Sequence, residues 1–390
     1  MKILYITDRD DKFGAPKSMV EMILNLRKKY NIEPIVITSV KNNINKICTE
    51  NEIENYVTYH QKHLYVETGN KFKDAIKLVP RYLRYKIGNF KAKIEIKKKI
   101  NMQDVDIIHT NTSSLDIGAI LAEKYHKKHI VHIREFGDKD FNMKSYRKNY
   151  ISFLNKNTTY FFAISDAIKE GWIKKGIEKE KIIRVYNGIS LEDIEIKKYE
   201  EQSDTQLKLV ISGSICEGKG QKEIVQALTK VPKDILKNTH LDIIGEGIPE
   251  YKREIETLIK ENNLEKNINL LPYKKDLRKC LRNYDIGIVC SRAEGFGRIT
   301  VEYMATQLVV VASDTGANPE IIDDGNNGFL YNYHDIEDLA NKIVYVYENK
   351  EMRKQIGIKG REKVLENFIS DINTKNVYQN YEKIIEKYKE

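Results

Sequence analysis

The chain has 390 residues, 32% of them charged, with 66 Lys or Arg against 57 Asp or Glu and a formal net charge of +9. That length accommodates two ordinary domains with separate cores, and no apolar run reaches the ~20 residues needed to cross a bilayer. Four cysteines, Cys48, Cys216, Cys280 and Cys290, share no paired spacing; this argues against a disulfide framework or zinc module and for free thiols in a reducing compartment.

The opening MKILYIT enters a strand at once, with no secretory pattern ahead of it. Phe13-Gly14-Ala15-Pro16 then leads into a helix predicted from Pro16 to Lys29, Gly14 serving the tight turn and Pro16 the first helical position. Short apolar runs follow at IVIT, VDIIHT, HIVHI, TYFFAIS and KIIRVYN, with helical stretches between them. This alternation predicts an α/β domain over 1–187, a parallel sheet with helices on both faces. A polar, charge-rich stretch over 188–206 reads as a linker. A second alternation, LKLVISG, HLDIIG, NINLL, DIGIV and LVVVAS, predicts another Rossmann-like domain over 207–369. In such folds ligands bind outside the carboxyl ends of the strands. Residues 370–390 read as a closing helix.

Within the first domain, residues 71–100 hold eleven Lys or Arg against Asp74 and Glu95. Val79, Leu83, Ile87, Phe90 and Ile94 recur there at helical spacing, so a helix predicted to start at Pro80 has one apolar face and basic flanks. That pattern suits an anionic membrane surface or, equally, a stripe packed on the domain beneath solvated lysines. No nucleic-acid motif accompanies the charge, and no nucleic-acid partner is expected.

The densest motif is EGFGRITVEYM, in which Glu294 and Glu302 stand with seven residues between them around a Gly-x-Gly turn. Ile286–Cys290 reads as a strand, Ser291–Gly297 as a loop and Arg298–Leu308 as a helix. The backbone N–H groups of Gly297, Arg298 and Ile299 would open that helix unpaired, beside the positive end of its dipole. A diphosphate fits such a place, and Gly295 and Gly297 let it approach the backbone.

The stretch Ser291–Leu330, SRAEGFGRITVEYMATQLVVVASDTGANPEIIDDGNNGFL, resembles the donor-site signature of retaining glycosyltransferases of the GT-B fold, the large family 4 type that includes group 1 polysaccharide enzymes. The likeness implies two Rossmann-like domains with parallel sheets facing across a cleft, the closing helix packing back on the first. It implies that Glu294 orients the donor sugar, Glu302 binds the ribose diol, and Gly295, Phe296, Gly297, Arg298, Ile299 and Thr300 line the donor. Gly14 and Ala15 would face the diphosphate, and Lys219, in GSICEGKGQ, would reach it as a point charge. The family commonly has a basic residue where Ser214 stands, which leaves Lys219, Arg298 and the helix amides to stabilise the leaving group. His109 is expected among the catalytic residues, and Asn111, His132, Arg134 and Glu135 on the acceptor side with Asp138. A second histidine is usual in the family at position 111; asparagine cannot act there as a base near neutral pH.

Two Asp-x-Asp motifs, Asp8-Arg9-Asp10 and Asp138-Lys139-Asp140, could hold a divalent cation in glycosyltransferases of the other main fold. The two-domain pattern belongs with the metal-independent fold, so no metal and no cofactor are expected. The sequence therefore reads as a cytoplasmic transferase, peripheral on the inner membrane face if the basic segment docks there. It would move a sugar from a nucleotide-diphosphate donor, expected to be UDP-linked, to a lipid-linked saccharide, polymer or protein. A catalytically silent partner of another transferase and a sugar-nucleotide epimerase are the alternatives.

Overall fold

Val, Ile and Leu dominate the short strands because both faces of a parallel sheet are covered by helices, leaving no solvated side to alternate with. The computed structural model describes residues 1–8, 14–66, 71–137, 143–199 and 206–387. The chain divides into two units, Met1–Gly188 with Ser370–Glu390, and Ile189–Ile369.

Among the described residues the first unit carries nine strands: β1 (Lys2–Ile6), β2 (Glu33–Thr38), β3 (Glu54–Val57), β4 (Leu64–Val66), β5 (Ile107–Thr110), β6 (Lys128–Ile133), β7 (Met143–Ser145), β8 (Tyr160–Ala163) and β9 (Ile182–Arg184). Seven form a parallel sheet in the order β3-β2-β1-β5-β6-β8-β9, and β4 pairs antiparallel with β7. The order reverses between β1 and β5, and their register sets Tyr5 beside His109. On one face Met19, Ile23 and Leu26 of the helix Gly14–Tyr30 pack with Val377, Tyr381 and Ile384 of the helix Ser370–Glu386. On the other, Ile96, Leu115, Ile117 and Leu121 close the core. Each such side chain contributes roughly 1.5–3 kcal/mol when fully buried.

The basic helix differs from its expected form in two ways. It runs Lys71–Lys99, with Pro80 inside it rather than at its start. An interior proline removes one backbone bond, the one that would reach the carbonyl of Ile76, and the ring crowds that carbonyl; the good helix formers on both sides carry the helix through. Nor does the apolar stripe pack on the domain: Val79, Leu83, Ile87, Phe90 and Ile94 are exposed, while Tyr85, Asn89, Ala92 and Ile96 face inward. Among the described residues no helix is long and apolar enough to cross a membrane.

The second unit builds a six-stranded parallel sheet from β10 (Leu207–Ser212), β11 (Thr239–Ile244), β12 (Ile268–Leu271), β13 (Ile286–Val289), β14 (Val309–Ser313) and β15 (Phe329–Tyr331), ordered β12-β11-β10-β13-β14-β15. Its order reverses between β10 and β13. The helix after β13 covers Arg298–Ala305, ending before Leu308 because Gln307 takes a left-handed φ of +68° as the chain turns into β14. Residues 189–199 of the segment read as a linker lie along this unit. Ile189 pairs with Ile369, Lys197 meets Asp285 at 3.0 Å, and the Tyr199 hydroxyl donates to the Gln307 carbonyl.

Candidate functional site

In the second unit, the loops that leave β10 and β13 start from neighbouring strands at the point of order reversal, where loops diverge and leave a crevice. This brings Lys219 and Glu294 together although 75 positions separate them: the ammonium donates to Glu294 Oε2 at 2.7 Å. The loops are also locked backbone to backbone, Arg292 N–H donating to the Gly218 carbonyl at 3.0 Å. Gly220, at φ +67°, packs so closely that a Cβ there would lie 2.2 Å from the Cys290 carbonyl oxygen. From the β14 side Ala317 N–H donates to the Glu294 carbonyl at 2.8 Å, and a Cβ on Gly316 would meet that same oxygen at 2.3 Å.

Burial alone would push the Glu294 carboxyl up, yet it is held below the usual carboxylate range. Burial is the largest single influence, but attraction to the Lys219 ammonium and hydrogen bonds from Lys219, the Ser291 hydroxyl and the Gly297 N–H together outweigh it. One expectation is thereby corrected, since the Gly297 amide already serves Glu294. The Glu294 side chain keeps 14% of its surface open and Lys219 35%, so the pair remains within reach of a ligand.

Glu302, on the second turn of the helix, is gripped on Oε1 by Arg278 Nη2 at 2.6 Å, Arg278 Nε at 3.1 Å and Arg298 Nε at 3.1 Å. Arg278 lies on the short helix Leu277–Cys280 and was not foreseen from sequence, where it is one cation among Lys274, Lys275, Lys279 and Arg282. Only its position opposite Glu302 marks it. Phe296 and Thr300 turn inward: the Phe296 ring is buried edge-on against Phe368 at 5.8 Å, and the Thr300 hydroxyl donates to Asn318 Oδ1 at 3.2 Å. They support the loop and the helix start and offer a ligand no side-chain group. Gly295, Arg298 and Ile299 stay half exposed, and Ser214 is exposed.

The residues named in the first unit have a different character. His109 is wholly buried, its Nδ1 hydrogen-bonded to the Tyr381 hydroxyl at 2.6 Å and its Nε2 to His132 Nδ1 at 3.2 Å. Burial, with the Arg134 charge next, holds both imidazoles well below the ordinary histidine range. Arg134 donates through Nε to Asn111 Oδ1 at 2.8 Å and through Nη1 to Asn187 Oδ1 at 2.5 Å. Asn111 in turn donates to the Ala15 carbonyl at 3.3 Å. Glu135 Oε1 accepts from the Thr112 hydroxyl and from the Ser113 hydroxyl, each at 2.7 Å, and so ties its own loop. His109, expected among the catalytic residues, is thus wholly buried with both ring nitrogens hydrogen-bonded within the protein. His132 and Asn111 are also buried, His132 with its Nε2 unpaired, whereas Gly14 is exposed at the start of its helix. Phe13, Asp10, Asp138 and Asp140 lie outside the described residues. Asp8 pairs with Lys62.

The surface of the first unit presents instead a hollow of about 580 Å³, whose walls include Tyr65, Lys144, Arg147, Lys148, Trp172 and Lys175. These four cations and the rings of Tyr65, Tyr150 and Trp172 suit an anionic, partly apolar ligand.

Comparison with known proteins places this geometry. Residues 192–363 match the family described as glycosyl transferases group 1, and residues 58–193 match glycosyltransferase family 4. A glycosyltransferase of Methanocaldococcus jannaschii is 29% identical over 319 residues, covering 80% of this chain and 81% of its own. The poly(ribitol-phosphate) alpha-N-acetylglucosaminyltransferase of Staphylococcus aureus is 34% identical over 130 residues, 33% of this chain and 26% of that one. Anabaena HepE, solved with UDP, superposes with a TM-score of 0.79 at 18% identity over 98% of this chain and 100% of that one, a likeness of fold. Two Rossmann-like halves, the paired glutamates of the second and the two adjoining family matches lead to one conclusion: the chain belongs to the GT-B glycosyltransferases of group 1, family 4 type.

Proposed function

We propose that the protein is a retaining, metal-independent glycosyltransferase that takes its sugar from a UDP-linked donor and works in polysaccharide or glycoconjugate synthesis. The observation that carries this reading is the Lys219–Glu294 pair, set on two interlocked loops at the strand-order reversal beside a helix start. Glu294 orients the donor sugar through its hydroxyls, and Lys219 swings its ammonium to the departing diphosphate. Glu302 takes the ribose diol, held in place by Arg278 and Arg298. The bond from the anomeric carbon to the diphosphate oxygen breaks while the acceptor oxygen bonds to the same face. The acceptor proton passes to the leaving phosphate, so no protein base is needed and His109 stays outside the chemistry. Positioning and stabilisation of the departing charge supply the rate.

The acceptor, in this reading, carries phosphate, as a lipid-linked saccharide or a polyol-phosphate polymer, and rests in the hollow lined by Lys144, Arg147, Lys148 and Lys175. The names of the relatives give support, since one acts on poly(ribitol-phosphate) and another, from Campylobacter jejuni, on a diphospho-undecaprenol saccharide. The test is a panel of nucleotides and nucleotide sugars read by thermal shift, followed by donor hydrolysis with and without EDTA. UDP near 100 times its dissociation constant should add ~2.7 kcal/mol of stability, and turnover should survive chelation. A preference for a purine nucleotide, or loss of turnover in EDTA, would sink the respective half of the proposal.

A further inference from the structure

The long helix Lys71–Lys99 has two apolar faces, and only one is used. Its inner face is held down by Tyr85, whose hydroxyl donates to Asp116, by Asn89, which accepts from Gln61 N–H at 2.9 Å, and by buried Ala92 and Ile96. The outer face repeats the apolar spacing with nothing over it: Ile76 is 61% exposed, Val79 62%, Leu83 51%, Ile87 52%, Phe90 60% and Ile94 42%. At 100° per residue these six fall in one stripe, about 27 Å long from Ile76 to Ile94. So long a contiguous apolar surface is unusual on a free soluble domain and marks something that covers it.

Charge selects the occupant. Lys86, Lys93 and Lys97 border one edge of the stripe, and Arg84, Lys91 and Lys98 border the other. Among the described residues no carboxylate pairs with any of the six; Glu95, which lies among them in sequence, accepts instead from Tyr59 N–H at 3.2 Å. A second copy of the chain would set six cations against six and repel. An apolar stripe between two rows of cations matches a surface that is apolar within and anionic at its rim, which is an acidic lipid leaflet. We propose that this helix lies in the headgroup layer of an anionic membrane, its stripe immersed to the acyl boundary and its lysines among the phosphates. Arg81 and Arg84 of the same helix line a neighbouring hollow with Lys62, Tyr65, Tyr85 and Tyr146, so the docked face adjoins a basic surface. The inference does not depend on the proposed transfer reaction.

The test is co-sedimentation of the full chain with phosphatidylcholine vesicles, with and without phosphatidylglycerol. Binding is expected only to the anionic vesicles, falling as salt is raised, because exposed charges are screened. Leu83→Asp with Ile87→Asp should lower the bound fraction by about tenfold or more, as should Lys91→Gln, Lys93→Gln, Lys97→Gln and Lys98→Gln together. All six positions are on the solvent side, so Tm and circular dichroism should stay unchanged. Trp172 is the chain's single tryptophan and is buried, so Phe90→Trp gives an independent readout, a blue-shifted emission when anionic vesicles are added. The proposal is overturned if the wild type ignores anionic vesicles at low salt. It is equally overturned if sedimentation equilibrium shows a dimer that Leu83→Asp dissolves, or if an acidic protein binds the stripe in preference to the vesicles.

Discussion

Both units place polar clusters at the carboxyl ends of parallel strands next to a reversal of strand order, yet the clusters have opposite fates. In the first, His109, His132, Arg134 and Tyr381 bond to one another out of reach of water. In the second, Lys219 with Glu294, and Arg278 and Arg298 with Glu302, are ion pairs still open at one side. Enclosed groups bonded chiefly to one another act as fasteners, although His132 Nε2 has no hydrogen-bond partner; pairs left partly in solvent can trade a partner for a ligand. Strand-end position alone thus does not identify a reactive group, and residual exposure separates the two cases.

The largest expected effect tests the fastener side. Burial lowers the affinity of His60, His63, His109, His129 and His132 for protons, His129 down to about 3. The unfolded chain binds those protons near the ordinary pKa of ~6.5. Stability of the first unit should therefore be intact above that pH and fall below it, by up to ~1.4 kcal/mol per pH unit for each histidine. The second unit's histidines, His240 and His334, lie at partly exposed positions. Hydrogen exchange followed from pH 7 downward should show the first sheet opening first; simultaneous opening would break the contrast.

Next comes chemistry. Glu294→Gln should cut transfer by about 100-fold or more with little change in Tm. His109→Phe should do the reverse, costing ~1–3 kcal/mol of stability through the lost hydrogen bonds to Tyr381 and His132, while turnover per folded molecule stays within about threefold. An inactive but stable His109 variant would exchange the roles assigned to the two clusters.

How far the sequence went toward this picture depended on the range of the interaction. The strands written as LYIT, IVIT, VDIIHT or LKLVIS all reappear, because a buried parallel strand is a local apolar run. β3, reading ENYV, and the short β4 and β7 carried no such signature and exist through their neighbours. The pattern also misplaced the start of the basic helix, since a local rule for proline took no account of good helix formers on both sides. At the site, the loop-helix geometry around Glu294 is local and was legible. The meeting of Lys219 with Glu294 depends on strand order, and that of Arg278 with Glu302 on a turn 24 residues away. Phe296, placed on the donor side by the family resemblance, packs its ring against Phe368, a partner distant in sequence that no local pattern announces.

The smallest expected effect sharpens the open side. Arg278→Gln should loosen Glu302 and raise the dissociation constant for the donor nucleotide about fivefold, near 1 kcal/mol, with kcat nearly unchanged. A fall in kcat with unaltered nucleotide affinity would move Arg278 from the ribose end of the donor to the reacting bond.

The helix Ser370–Glu386 has a consequence for how the molecule is made. Tyr381 sits on the His109 ring and also meets the Tyr5 hydroxyl at 3.2 Å, so the first unit's core uses residues from both ends of the chain. During synthesis from the N-terminus, β1 through β9 leave the ribosome well before their last partner is translated, and the whole second unit is made in between. Until that helix arrives, an apolar face of the first sheet stays uncovered, the kind of surface that chaperones bind and that aggregates when left waiting. Slow translation of the final segment, or loss of the last seventeen helical residues, would thus be felt first at the opposite end of the sequence.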